Sequence, residues 1–354
     1  MKRKLHIVVA LGFLAIFTFT PQMQAAERSM VLSGSGGYVA EMSETIWNVP
    51  FTAATGIKIK RVASETQRMA QLEAMVRSGK SLWDVTEVSA SNYPMGVQKN
   101  LFEPIDYSLA DPDNVLPEVA KLKYGVGVAA YSVVLVVRKD KLPKGKMMKS
   151  WADFWNFKEF PGPRSLNGRP QDNFEFALLA DGVDPKDLYK VLSTPEGIQR
   201  AFDKMEELKP HVPTWWMSGA QSVQLLSEGE VFYGTTYNGR VTKLVESGVP
   251  AEIVWNGGSL HMSYLGIPKG AKNIKEAYEY IRFRATNKTQ MLEYIKKLPY
   301  PGFAPGLYDG LPENVSKSLP TYPANLAVQF GANEEFWAVH IDKLQERWSD
   351  WLLQ

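Results

Sequence analysis

Apolar and polar positions follow two alternating periods along most of the chain. Residues 57–63 alternate at every second position, as a half-buried strand does, whereas Met69, Leu72, Met75 and Val76 recur at the spacing of one helical face. Strand-like and helix-like segments of these kinds follow each other in turn, and this order indicates a parallel sheet covered by helices. The pattern therefore predicts an α/β protein.

One strand-like run is longer than a single lobe needs. It covers residues 126–138, whereas strands usually have about 5–6 residues. A strand that passes from one domain into another would have this length, and a second α/β set follows it. We therefore expect two α/β lobes joined by crossover strands, with residues 27–133 and 264–307 in lobe 1 and residues 134–263 and 308–354 in lobe 2. Ligands in such folds bind in the crevice at the carboxyl ends of parallel strands.

The first 26 residues have the composition of a secretory signal peptide. Lys2, Arg3 and Lys4 precede an apolar segment of 16 residues, and small residues then offer a cleavage site after Ala25 or Ala26. This segment is shorter than the roughly 20 residues that span a membrane, so we expect a soluble protein in a periplasm. Removing the three basic residues from 40 leaves 37 against 38 acidic ones, a net charge near −1, so no nucleic-acid partner is expected.

Common enzyme and cofactor motifs are missing from the sequence. There is no cysteine, which excludes disulfides, thiolate metal ligands and cysteine nucleophiles. The glycine-containing residues 125–130 lead into a strand-like run instead of a helix, so they do not form a dinucleotide-binding loop. After the signal peptide, the histidines His211, His261 and His340 lie far apart in the chain and do not indicate a metal site. We therefore expect a protein that is not an enzyme and needs no cofactor.

Polar and aromatic residues with small neighbours follow four of the expected strands. Glycines at such places let a ligand approach the backbone, although a tight turn is the simpler explanation for each place on its own. Because the ends of parallel strands meet at one edge of a sheet, four such places indicate a common binding crevice. The candidate ligand-binding residues at these strand ends are Ser35, Gly37, Tyr38, Ser89, Ser91, Tyr237, Arg240, His261 and Ser263.

Arg240 places a permanent positive charge in the turn that we expect after a short strand at residues 231–234. A guanidinium beside small residues and a tyrosine can hold a carboxylate, phosphate or sulfonate through two parallel hydrogen bonds; an ordinary surface arginine is the alternative. Asp172 and Glu175 lie at the start of an expected helix, where they either cap the helix or pair with a ligand ammonium. Trp216 belongs either to the core or to an aromatic ligand surface.

Six segments carry a family resemblance through their order and spacing. They are PFTAATGIKIK, WDVTEVSAS, SWADFWNFKEFPG, FALLADGV, LLSEGEVFYGTTYNGR and GIPKGAKN. The chain after residue 26 resembles the bacterial ABC-importer solute-binding proteins of the spermidine/putrescine type over nearly its whole length. The resemblance implies a bilobed periplasmic-binding-protein-like fold of type II, a monomer that closes on a small solute and docks on a membrane permease. It also implies that Tyr38, Ser89, Asp172, Tyr237 and residues 261–263 lie near the ligand.

The sequence departs from the polyamine-binding pattern at two places. Polyamine binders have an aspartate that pairs with the ligand ammonium, and this chain has Ser263 at that place. Polyamine binders have a small residue after Asn-Gly, and this chain has Arg240 there, which repels a cationic ligand. An arginine there is similar to the related γ-aminobutyrate binders, and Asp172 or Glu175 then has to supply the acid for the amine. We therefore predict a small zwitterionic or anionic solute: an ω-amino acid, an aminophosphonate or a carboxylate. The alternatives are a polyamine-binding protein, a periplasmic sensor subunit and an enzyme.

Overall fold

The computed structural model describes residues 27–63, 68–90 and 92–354, so the expected signal peptide lies outside the described residues. The described residues form nine strands in one sheet: β1 Ser29–Gly34, β2 Lys58–Ala63, β3 Val85–Val88, β4 Lys121–Leu122, β5 Gly125–Arg138, β6 Arg164–Ser165, β7 Tyr233–Tyr237, β8 Ala251–Gly266 and β9 Phe330–Gly331. Most of the other described residues are helical, as the alternating pattern predicts.

The α-helices are α1 Gly37–Ser43, α2 Val49–Thr55, α3 Arg68–Arg77, α4 Asn92–Gln98, α5 Tyr107–Ala110, α6 Trp151–Phe154, α7 Asn173–Ala180, α8 Leu188–Leu192, α9 Pro195–Leu208, α10 Gly219–Glu228, α11 Asn238–Glu246, α12 Ile274–Thr286, α13 Lys288–Lys297, α14 Glu313–Ser316, α15 Pro323–Leu326 and α16 Glu334–Leu353. A π-helical segment, Glu44–Asn48, joins α1 to α2. Short 3-10 helices cover Glu118–Ala120, Lys139–Lys141, Pro185–Asp187, Lys209–His211 and Leu307–Gly310. Within the described parts of the chain, no helix has both the length and the apolar character needed to cross a membrane.

Two long antiparallel strands form the middle of the sheet. The strand order is β2-β1-β3-β8-β5-β7-β6, with β4 added to β5 and β9 to β8. β5 has 14 residues and β8 has 16. β3, from the first part of the chain, pairs with the carboxyl end of β8. β7 pairs with the second half of β5. The long strand predicted at residues 126–138 is therefore present, and β8 is a second strand of the same kind.

The two halves of β5 belong to different hydrophobic cores. Val126 and Val128 pack with Leu32 and the buried face of α12, whereas Leu135 and Val137 pack with residues of α7, α9 and α16. One strand that enters two separate cores is what a crossover between two lobes requires. A further cluster joins Trp47 and Met291 to Leu319, although the predicted boundaries assign Leu319 to lobe 2.

The segment around Arg240 differs from the expected short strand and turn. The strand begins at Tyr233 and ends at Tyr237, and α11 begins directly at Asn238. Asn-Gly is a common turn signal, but here Asn238 is buried and accepts a hydrogen bond from the Ser132 N–H at 2.9 Å. This tertiary contact places Asn238 in the first turn of a helix, so the prediction of a strand at residues 231–234 followed by a turn is wrong.

Candidate functional site

Two adjoining cavities open where the long central strands pass between the cores. They share Tyr131 of β5 and Tyr237 of β7, whose ring centroids are 5.8 Å apart. The first cavity, here the acidic compartment, has a volume of ≈ 160 Å³ and is lined by Tyr131, Val133, Asn167, Arg169, Gln171, Asp172, Trp216, Met217, Ser218, Gly219, Tyr237, His261 and Glu334.

The second cavity, here the basic compartment, has a volume of ≈ 350 Å³. It is lined by Ser35, Val39, Arg68, Glu87, Val88, Ser89, Val128, Ala129, Tyr131, Tyr237, Arg240, Ser263, Tyr264, Arg284, Tyr294 and Tyr300. Because both compartments share the tyrosine pair, one elongated solute can occupy both.

A buried histidine lies between two carboxylates in the acidic compartment. His261 Nε2 is 2.9 Å from Asp172 Oδ1 and 3.1 Å from Ser259 Oγ, and its Nδ1 is 2.7 Å from Glu334 Oε1. The three groups come from β8, from the residue before α7 and from the first turn of α16. The site therefore joins three elements that are distant in the sequence.

The buried cluster around His261 has an excess of negative charge, and the exposed Arg169 lies elsewhere in the lining of the acidic compartment. Burial lowers the pKa of His261, but the charges and hydrogen bonds of Asp172 and Glu334 outweigh burial and raise it to about 10. The ring is therefore an imidazolium at neutral pH, and two carboxylates around one imidazolium leave one negative charge. An uncompensated buried charge is costly, so this arrangement favours a cationic group in the compartment.

Asp172 is held in an uncommon backbone conformation. Its φ is 69° and its ψ is −43°, a region that residues with a side chain rarely adopt. Asp172 precedes α7 but makes no capping hydrogen bond to it. Oδ1 bonds to His261, whereas Oδ2 makes no hydrogen bond with a described residue. Of the two expected roles, helix capping is not observed, and Oδ2 is available to a ligand ammonium.

Glu175 lies in the core behind the acidic compartment instead of lining it. Its Oε1 accepts hydrogen bonds from Trp337 Nε1 at 2.6 Å and from the Tyr189 hydroxyl at 2.8 Å. Burial raises the pKa of Glu175 to about 8, and the nearby charge of Asp172 adds to the effect. Glu175 is therefore largely protonated at neutral pH, and the second acid that lines the cavity is Glu334.

Arg240 lines the basic compartment at its exposed side. Among the described residues it makes neither a hydrogen bond nor an ion pair, so its guanidinium is available to an anion. Its side chain runs past Gly219 at the start of α10, where an added Cβ would collide with Arg240 Nε and Tyr237. The glycine thus makes room for the arginine, although no ion pair with a described residue holds the side chain there.

The structure brings most of the sequence-predicted residues to these two cavities. Asp172, Trp216 and His261 line the acidic compartment, Ser35, Ser89, Arg240 and Ser263 line the basic one, and Tyr237 lines both. Glu175 lines neither. Gly37 and Tyr38 lie in α1, but the structure does not describe their side chains, and Ser91 lies outside the described residues.

Trp216 and its neighbour Trp215 have different surroundings. Trp216 lines the acidic compartment and donates from Nε1 to Thr235 Oγ1 at 3.2 Å. Trp215 packs against Trp348 and Trp351 in the core. Trp216 therefore lines the cavity and also packs in a hydrophobic cluster with Val134 and Leu226, whereas Trp215 belongs to the core alone.

Sequence reasoning missed several residues of the site. Tyr131 lies in the middle of β5 and stacks on His261 with ring centroids 5.2 Å apart. Glu334 begins the last helix, and Arg284 lies in the last turn of α12, so neither follows a strand of the expected kind. The length of β5 is the one signal that points to Tyr131, because the middle of a crossover strand has to lie between the lobes.

Comparison with known families and structures gives consistent matches over most of the chain. Residues 48–325 match the family described as bacterial extracellular solute-binding protein. The γ-aminobutyric acid-binding protein of Pseudomonas aeruginosa is 36% identical over 348 residues, which are 98% of this chain and 97% of that protein.

Two solved structures give the same result. An ABC-transporter substrate-binding protein from Bradyrhizobium japonicum superimposes with a TM-score of 0.80 and 30% identity, over 92% of this chain and 99% of the other. The structure of the Atu4243 GABA receptor superimposes with a TM-score of 0.79 and 30% identity, over 92% and 98% of the two chains. The predicted α/β fold of the bilobed periplasmic-binding-protein class is confirmed, as is the family resemblance.

Proposed function

The chain belongs to the bacterial extracellular solute-binding proteins, not to an enzyme family, and on this premise we propose that it is the periplasmic solute-binding component of an ABC importer whose solute is a small zwitterion of the γ-aminobutyrate type. Residues 1–26 then direct export as a signal peptide, and the loaded protein delivers its solute to a membrane permease as a monomer. Lobe 1, residues 27–133 and 264–307, and lobe 2, residues 134–263 and 308–354, close on the solute.

The separation of charge along the cleft is the observation that carries this proposal. The buried cluster of His261, Asp172 and Glu334 in the acidic compartment carries one excess negative charge, while the exposed Arg169 lines the same compartment. The basic compartment contains Arg240 without an acidic partner among the described residues. An ω-amino acid has one positive and one negative end, so it can place its ammonium near Asp172 and its carboxylate near Arg240. An aliphatic chain between its ends then passes the Tyr131–Tyr237 pair.

The relatives support the same solute class. The Pseudomonas aeruginosa protein is named for γ-aminobutyric acid, and the Atu4243 structure is that of a GABA receptor. A polyamine fits less well because its second ammonium would lie near Arg240 and be repelled. The sensor alternative uses the same cleft and differs only in its docking surface.

Thermal unfolding of the purified protein with a panel of solutes tests the proposal. A solute that binds only the folded state raises the melting temperature, and saturation with 100 times the Kd adds about 2.7 kcal/mol. We expect γ-aminobutyrate to raise the melting temperature clearly and putrescine and spermidine to raise it little. Butyrate and butylamine, which each lack one charged end, are the matched controls. A larger rise with a polyamine than with any zwitterion would overturn the proposal.

A further inference from the structure

Arg284 is a buried guanidinium that has unused hydrogen-bond donors at the wall of the basic compartment. Its side chain lines the compartment although it is only 4% exposed, and its Nε and Nη1 atoms, which are closed to solvent, have no hydrogen-bond partner among the described residues. The side chain is held by aromatic rings instead, with its central carbon 4.2 Å from the Trp47 centroid and 5.9 Å from that of Tyr294. Contact with ring faces leaves the N–H groups at the edge of the guanidinium free, and a buried charge without a partner is costly.

The carboxylate that lines this compartment is already engaged. Glu87 Oε2 accepts the Ser35 N–H at 2.9 Å and lies 3.9 Å from Arg61 Nη2. Among the described residues, no acid lies within ion-pairing distance of Arg284. Its positive charge therefore remains uncompensated within the described part of the chain.

Two of the guanidiniums that line this cavity, those of Arg240 and Arg284, consequently have no acidic partner among the described residues, and they come from different helices. Arg240 belongs to the first turn of α11 and Arg284 to the last turn of α12. A single carboxylate neutralises one of these charges and leaves the other. The volume of ≈ 350 Å³ lies at the lower end of the range of about 300–1,000 Å³ typical of small-molecule sites, which is enough for a tetrahedral head group.

We propose that the basic compartment accepts a tetrahedral, doubly charged head group held between Arg240 and Arg284, so that an ω-aminoalkylphosphonate binds more tightly than the ω-amino acid of the same length. This inference rests on the proposed function, because the ammonium end uses the acidic compartment in both cases. Three phosphonate oxygens can meet donors that approach from two helices, and two negative charges balance two guanidiniums.

Calorimetric titration of the purified protein with three matched probes tests the inference. The probes are γ-aminobutyrate, 3-aminopropylphosphonate and 3-aminopropanesulfonate, which share the ammonium and the three-carbon spacer. The sulfonate is tetrahedral but carries one charge, so it separates shape from charge. At pH 8, we expect the phosphonate to bind at least tenfold more tightly than either of the other two. Phosphonate affinity should also rise with pH as the head group loses its second proton, whereas sulfonate affinity should stay flat over the same range.

A variant tests whether Arg284 is responsible for the preference for phosphonate. Arg284→Gln should lower phosphonate affinity at least tenfold more than sulfonate affinity. Arg282→Gln is the matched control, because Arg282 lies on the same helix but is exposed and pairs with Asp113 at 2.8 Å. If Arg284→Gln does not fold, the comparison of the three probes and their pH dependence on the unmodified protein still decides the inference.

The outcomes separate this inference from the proposed function. Equal affinity for phosphonate and sulfonate, or a phosphonate preference that Arg284→Gln leaves intact, would overturn the inference. If γ-aminobutyrate binds in that case, the proposed function stands alone. If none of the three zwitterions binds, both proposals fail.

Discussion

Arg240 is the residue on which the anionic end of the proposed solute depends. Replacing Arg240 with alanine removes a charge-assisted hydrogen-bond pair, which is worth about 1.5–3 kcal/mol, so we expect γ-aminobutyrate affinity to fall at least tenfold. Its side chain is exposed and has no hydrogen-bond or ion-pair partner within the described part of the chain, so we expect an unchanged melting temperature without solute. Calorimetry on Arg240→Ala measures the effect, with Lys243→Ala on the same helix as the control, since Lys243 pairs with Glu246 at the surface. Unchanged affinity in Arg240→Ala would remove this residue from the site.

His261 makes stability depend on pH in a defined direction. Its pKa in the folded protein is about 10, above the ordinary value of 6.5, so the stability that it contributes is complete below about pH 6.5 and is lost as pH rises through 10. We expect His261→Gln to destabilise the protein by a few kcal/mol near pH 6, in the range of about 3–5 kcal/mol found for a broken buried ion pair. This difference should shrink toward pH 10.

Urea unfolding of the wild type and His261→Gln at a series of pH values measures that difference. Subtracting the two curves cancels the titration of lysines and tyrosines elsewhere in the protein. A difference that stays constant from pH 6 to pH 10 would show that the histidine is neutral in the folded state.

At the residue scale, the sequence identifies charged and titratable side chains of the site better than it identifies the residues that contact them. Arg240, Asp172 and His261 were identifiable because each follows a predicted strand or begins a predicted helix. Glu334 was not identifiable, because it reaches His261 from 73 residues further along the chain. A contact of this kind depends on how α16 packs against the second lobe, and no local pattern encodes it.

Helix α7 shows how one element connects the site to the core. Glu175 lies in its first turn and accepts hydrogen bonds from Tyr189 of α8 and Trp337 of α16. Its raised pKa, about 8 against an ordinary 4.5, means that the folded state holds a proton which the unfolded chain releases. The stability associated with Glu175 is therefore present below about pH 4.5 and declines as pH rises through 8.

We expect Glu175→Gln to stabilise the protein increasingly as pH rises from 5 to 9. Glutamine keeps an acceptor for the two donors and cannot ionise, so the gain at pH 9 should be on the order of 1–3 kcal/mol. Thermal unfolding at pH 5, 7 and 9 measures it, and Glu196→Gln at the exposed start of α9 is the control. A variant that is destabilised equally at all three pH values would indicate that the folded protein holds an ionised Glu175.

At the element scale, the order of strands and helices was predictable while several ends were not. The period of two in residues 57–63 corresponds to β2, and the long apolar run corresponds to β5. The start of α11 was missed because Asn238 and Gly239 favour a turn locally. Pro299 and Tyr300 pack against Gly239, and these contacts override the local preference.

At the scale of the whole molecule, the cleft lies where the two central strands change their register. β5 and β8 pair Tyr131 with His261 and Ala129 with Ser263, and their pairing is irregular on both sides, between Gly127 and Ala129 and between Val133 and Leu135. Irregular pairing increases local twist and bends strands, so these places suit a change in lobe orientation. Tyr131, His261 and Ser263, which line the two compartments, therefore lie on the strands that pass between the cores.

Solute binding should consequently make the whole molecule more compact. A zwitterion that pairs with Asp172 at one end and Arg240 at the other gains both contacts only when the cleft is narrow, so it favours the closed arrangement by its differential affinity. We expect small-angle X-ray scattering to show a smaller radius of gyration with saturating γ-aminobutyrate than without it. Arg240→Ala at the same solute concentration should scatter like the unliganded protein, because the second contact is missing. A radius that stays the same in wild-type protein shown by calorimetry to be saturated would mean that the solute binds without lobe closure.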